Sequence, residues 1–89
     1  MNKTETIRLH DVDAIQPPRL GETLLIECEI RSFIGEWLPR TYEVEVDPWS
    51  NLYHIFSGRS RIASGYGWPD VQRFFRVSMR AAITATLVV

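Results

Sequence analysis

The sequence predicts a small α+β domain: an antiparallel four- to five-stranded β-meander with one C-terminal amphipathic helix packed on one face. Three observations carry this. Apolar and polar residues alternate over Glu22 to Phe33 and again over Thr41 to Asp47, the period-2 mark of strands with one buried and one wet face. Clusters of Gly, Pro, Asp, Asn and Ser separate the runs as turn signals. From Val71 the apolar period changes to that of a helix.

Thr6-Ile7-Arg8-Leu9-His10 alternates like a short strand, and Pro17-Pro18 then interrupts any regular structure. This N-terminal segment is read as a fifth, edge strand or as an ordered arm. In the Glu22–Phe33 run, Leu24, Ile26, Cys28 and Ile30 point one way, and Leu25, Glu27, Glu29 and Arg31 the other. Gly35 to Pro39 turns the chain, after which Tyr42, Val44 and Val46 face inward and Glu43, Glu45 and Asp47 outward. With the turn centred near Glu36-Trp37, Ile30 would face Val44, Glu29 would face Glu45 and Glu27 would face Asp47. Asp47-Pro48-Trp49-Ser50-Asn51 is a second dense turn. Leu52–Phe56 and Arg61–Tyr66 are read as the next two strands, joined by Ser57-Gly58-Arg59-Ser60.

Val71, Phe74, Phe75, Ser78, Met79, Ala82 and Ile83 recur at i, i+3, i+4, i+7, i+8, i+11 and i+12, an amphipathic stripe. Pro69 in the first turn or Asp70 as cap starts it. A helix of roughly sixteen residues would be about 24 Å long, enough to cross three or four strands. Thr84 to Val89 lacks a glycine stop, so the chain end is left open between frayed, helical and extended forms.

Composition sets the class of protein. At 89 residues, 45% hydrophobic and 24% charged, the chain belongs with ordinary soluble globular domains, large enough for one modest core. The single Cys28 cannot form an internal disulfide. A cytoplasmic location, with no membrane contact, is the expectation from the absence of a secretory signal, a spanning apolar run or paired cysteines. Charge is sorted by position. Residues 1–50 hold ten carboxylates against five basic side chains, a net of −5, and residues 51–89 hold five arginines against Asp70, a net of +4. Such sorting points to binding surfaces.

Three constellations follow. Glu27, Glu29, Glu43 and Glu45 would form an acidic sheet face with Trp37, near a hairpin tip, as an exposed apolar anchor. Like charges opposite one another would destabilise that face unless solvent or a partner offset them. Arg73, Arg76 and Arg80 fall at i, i+3 and i+7 on the polar side of the helix, with Arg59 and Arg61 able to join them as anion or nucleic-acid contacts. Trp37, Trp49 and Trp68 each lie within two residues of a proline; two of the three are expected to cap the ends of the core. The apolar Leu87-Val88-Val89 either packs back on the domain or docks on a second copy.

Chemistry has less support. His10 and His54 are far apart and stand at no metal-binding spacing. Cys28 falls on the buried face, and Ser57, Ser60 and Ser64 lack a base-and-orienter pattern. No catalytic residue, metal or cofactor is therefore assigned. The expected function is a non-enzymatic protein-binding module, partnered by another protein or by a second copy of itself. The first alternative is nucleic-acid binding through the five arginines. The second is a small-ligand site between helix and sheet, lined by Phe56, Tyr66, Trp68 and Phe75.

Overall fold

The computed structural model describes residues 4–7 and 15–88, with side chains for 15–76 and 86–88. Arg8, Leu9, His10 and Val89, which entered the expectations above, lie outside the described residues. The expected class is the class found: an antiparallel sheet with one amphipathic helix on one face. The elements are β1 (Thr4–Ile7), β2 (Thr23–Arg31), β3 (Trp37–Val46), β4 (Tyr53–Ser57), β5 (Ser60–Tyr66), α1 (Trp68–Ser78) and β6 (Met79–Val88). Strands β2 to β5 form the meander. The sheet order is β1-β6-β2-β3-β4-β5, with every neighbouring pair antiparallel.

The helix does not end the chain. It runs from Trp68 to Ser78, 11 residues or ~16 Å, and Met79 then opens a ten-residue strand. The periodic Met79, Ala82 and Ile83 therefore belong to β6, so the helical stripe is shorter than its spacing suggests. Ile83, Thr84, Thr86 and Val88 are β-branched and favour extended backbone. The slot between β1 and β2 also supplies hydrogen-bond partners on both edges. Leu87 and Val88 are thus paired on both sides within the sheet, and Leu87 packs on the core. Of the two fates expected for the apolar tail, these two residues take the internal one.

One face of the sheet is dry. Leu24, Ile26, Cys28, Tyr42, Val44 and Ile55 from the strands, Val71 and Phe75 from α1 and Ile15 from the segment before β2 form the core. Tyr42, Phe74 and Phe75 meet edge to face at 5.1–5.6 Å between ring centroids, a favoured aromatic geometry. The Gly67 carbonyl accepts the first helical N–H bonds, from Asp70 and Val71. Asp70 in the first turn and Arg76 in the last complement the helix dipole.

The β2–β3 hairpin reaches past β4 on one side and is flanked by β6 on the other, up to the Ile30–Met79 pair. β4 reaches only as far as the Tyr42–Ser57 pair, so residues 37–41 of β3 have no described strand on that side. Five residues are ~16 Å of exposed edge. The Ser32 N–H donates to the Glu36 carbonyl, and alternation of the ladder from that pair turns the N–H and C=O of Leu38 and Arg40 toward β2. The polar backbone groups of Trp37, Pro39 and Thr41 therefore face the open side. Pro39, which has no N–H, sits where its missing donor costs the hairpin nothing and blunts the free edge.

Candidate functional site

The hairpin turn is built on three residues. Phe33, Ile34 and Gly35 are spanned by the Ser32–Glu36 pair, with Gly35 at φ +88° and the Glu36 N–H donating to Ser32 Oγ. Glycine takes that left-handed conformation without the clash a Cβ would bring. The turn is centred on Ile34, not near Glu36-Trp37, and this shift corrects the expected register. Leu24, not Ile30, faces Val44, while Glu27 faces Thr41 and Glu29 faces Pro39. No two of the four glutamates are directly opposed across these strands.

Glu27, Glu29, Glu43 and Glu45 do share one face of the sheet, the face turned from the helix, since each alternates with buried Cys28, Tyr42 or Val44. That face is mixed rather than uniformly acidic. Glu43 lies between Leu25 and Phe56, and Glu45 between Thr23 and His54. Thr23 Oγ1 donates to Glu45 Oε1 at 3.0 Å. Beside it, His54 Nε2 stands 3.2 Å from Asp47 Oδ2, and His54 Nδ1 is buried with no hydrogen-bond partner. Asp47 also accepts the Trp49 N–H at 2.8 Å. That N–H, with His54, holds the Asp47 carboxyl below its ordinary range against a smaller opposing effect of burial.

The apolar surface is concentrated at the end of the hairpin. Phe33 is 105% exposed, Ile34 76%, Leu38 41% and Trp37 40%. Trp37 is where the anchor was expected; Phe33, Ile34 and Leu38 were missed. Their signal in the sequence is an apolar pair placed inside a turn, Phe33-Ile34-Gly35, where a loop ordinarily carries polar residues. At the other end of the strands, Trp49 is 95% exposed and Leu20 66%. Trp68 packs on Tyr53 at 5.3 Å, so one of the three tryptophans closes the core, not two. Asp47 closes the turn that carries Trp49, through backbone and carboxylate bonds with Leu52, Asn51 and the Trp49 N–H.

The arginines are not brought together. Arg59 lies in the β4–β5 turn and Arg61 on β5, opposite Phe56 on the face away from the helix. Arg73 and Arg76 are exposed on α1, with Arg73 3.9 Å from Asp70. Arg80 is on β6, because the helix ends two residues before it. The expected three-residue helical stripe is a pair.

Phe56 also faces away from the helix, so it cannot line a helix–sheet pocket with Trp68 and Phe75. The recess beside the helix, bounded by Ile15, Trp68, Val71, Gln72 and Phe75, has no room for a water molecule. A shallow recess of about 210 Å³ lies along the open hairpin edge, lined by Glu27, Cys28, Pro39, Arg40 and Thr41. Cys28 is buried and its thiol is pushed up to about 11 by desolvation, which keeps it protonated at neutral pH. Among the described residues no three His, Cys, Asp or Glu side chains are grouped to hold a metal, and no helix is long and apolar enough to cross a membrane. Compared with known protein families, curated proteins and solved structures, the chain matches none.

Proposed function

We propose that this chain is a non-enzymatic protein-binding module that engages its partner through the β2–β3 hairpin tip. The observation that carries this reading is the exposure of Phe33 and Ile34 at the end of a hairpin that reaches past β4, with Trp37 and Leu38 exposed on its two opposite faces. Each large apolar side chain transferred from water to an interface is worth ~1.5–3 kcal/mol, and clustered aromatic anchors with a polar surround are the usual composition of a binding hot spot. Glu27 and Glu29 flank the arm, with Glu43 and Glu45 lower on the same face; they add charge selectivity for the partner more than affinity. A cytoplasmic place of action belongs to the same proposal, on the strength of the lone cysteine held as a free, buried thiol.

A photo-crosslinking amino acid placed at Phe33, and in a control chain at exposed Ser64, tests it in nuclease-treated cells. The expected result is protein adducts from position 33 that are absent from position 64. Adducts equal at both positions, or none at 33, overturn the reading.

A further inference from the structure

We infer that residues 79–83 are a hinge through which β6 exchanges between two copies of this chain, giving a domain-swapped dimer beside the monomer. The hairpin tip has no part in the exchange, so the inference stands apart from the function proposed above.

Three observations meet where α1 passes into β6. Local preference and structure disagree there. Met79, Arg80, Ala81 and Ala82 are all strong helix formers, and Met79, Ala82 and Ile83 continue the apolar period of the helix. The strand nevertheless opens at Met79, with no residue between it and the helix.

Pairing is irregular in the same place. Residues 84–88 run along residues 23–27 of β2 in unbroken register. Above them the register slips twice, so that the five steps from Thr84 back to Met79 span only the three from Glu27 to Ile30. The pairs in this stretch are Cys28–Ala82 and Ile30–Met79. The chain also reverses here. Trp68 packs on Tyr53, the strand partner of Val46, while Phe74 and Phe75 lie against Tyr42 and Met79 stands opposite Ile30. The helix therefore climbs toward the hairpin tip, and β6 comes back down.

A helix carried on through Ile83 would exchange the irregular pairs for i→i−4 bonds along the whole segment. It would advance ~7.5 Å past the level of Ile30. Thr84 pairs with Glu27, which lies ~10 Å back along β2, and one peptide step covers only ~3.8 Å. Residues 84–88 cannot keep their own slot in that state.

The slot they leave specifies its occupant. β1 is an edge strand paired to β6, and β2 offers the facing edge. Residues 84–88 fit between them, bonded to residues 23–27 on one side and, over 85–88, to Thr4–Ile7 on the other, with Leu87 on the core. A second copy in the same state carries the same segment outward on its lengthened helix. Each copy receives what the other gives, so the contact is reciprocal and closes as a two-fold dimer. Every pair from Thr84 onward is kept, and the difference between the two forms is confined to the hinge. The chain's own strand has the higher effective concentration in dilute solution. The monomer therefore prevails there, and the dimer forms as the protein is concentrated.

Disulfide mapping on the full chain tests the exchange. Leu25 and Thr86 are strand partners, near enough for cysteines at both positions to bridge. Leu25→Cys and Thr86→Cys in one dilute chain should close this link internally; failure to do so overturns the register that the exchange needs. The two substitutions are then made in separate chains, which are mixed at high concentration, partly unfolded in urea, returned to native buffer and oxidised. A covalent heterodimer linked between positions 25 and 86 is expected, together with a parent dimer whose fraction in gel filtration rises with concentration. Arg80→Thr with Ala81→Val lowers helix preference and raises strand preference in the hinge, and should cut the dimer's association constant about thirtyfold. A parent that stays monomeric, or a dimer without the 25–86 link between chains, overturns the exchange. Dimerisation of the hinge variant equal to the parent's overturns the helical hinge.

Discussion

The lower and upper halves of the β2–β3 hairpin follow the same alternating pattern and meet opposite fates. In the lower half Leu24, Ile26, Tyr42 and Val44 are buried beneath α1. In the upper half the same pattern continues through Ile30 and Leu38, yet Leu38 is 41% exposed and the turn beyond it carries Phe33 and Ile34 into water. The neighbouring strand makes the difference: β4 reaches only the Tyr42–Ser57 pair, so the upper part of β3 has no described strand on its outer side. Alternation fixes which way a side chain points; only the covering layer decides whether that direction is dry.

The sharpest way to break this comparison is to truncate one aromatic from each half. Phe75 is 1% exposed, against both Tyr42 and Phe74. Phe75→Ala should cost ~3–5 kcal/mol by urea denaturation, a large share of the stability of a domain this small. Phe33→Ala should stay within ~0.5 kcal/mol of the parent while weakening the partner binding assigned to the tip, read as loss of adducts from a crosslinker moved to Ile34. A comparable loss of stability in both variants would mean that the tip packs on the protein's own core.

A smaller effect is expected at Gly35, whose φ of +88° fixes the three-residue turn. A Cβ there would meet only the Arg31 guanidinium at an ordinary 3.6 Å, so the penalty of Gly35→Ala is conformational, ~1–2 kcal/mol. The upper half should show it first. Amide exchange ought to speed up at Leu38 and Arg40, whose N–H groups close the upper ladder, with little change at Tyr42 and Val44. Uniform acceleration across the hairpin would instead show that the two halves open as one unit.

The register error has the same physical origin. Glu27, Glu29, Glu43 and Glu45 were placed on one face correctly because side-chain parity is local. Their partners depend on where the turn is centred, and Gly35 moved that centre to Ile34. A shift of this kind changes every cross-strand neighbour without changing any facing. The end of the helix was illegible for another reason. Met79, Ala82 and Ile83 satisfy the helical period, but the edge of β2 that takes Met79 and Ala82 as strand partners, at Ile30 and Cys28, lies far from them in sequence. Trp49 followed neither rule; it sits in a turn closed by the hydrogen bonds of Asp47, which no periodicity reveals. The apolar turn Phe33-Ile34 was readable as an anomaly, since solvent-facing loops seldom place two large apolar residues together.

The smallest expected effect separates the two ends of the strands by pH. Asp47 organises the Trp49 turn, and its carboxyl titrates below the ordinary range because the Trp49 N–H and then His54 favour the charged form. A depressed folded-state pKa means that the carboxylate contributes stability above its unfolded pKa, and that this contribution disappears as pH falls through the folded value. Asp47→Asn should therefore lower the urea midpoint at neutral pH, and the gap to the parent should close in strong acid, where both side chains are neutral. The Trp49 turn should loosen with it, read as faster amide exchange at Trp49 and Asn51, while the Phe33 turn keeps its parent rates because no titrating group closes it. If the gap between Asp47→Asn and parent were independent of pH, the turn would be held by backbone geometry alone, and the carboxylate would have no part in closing it.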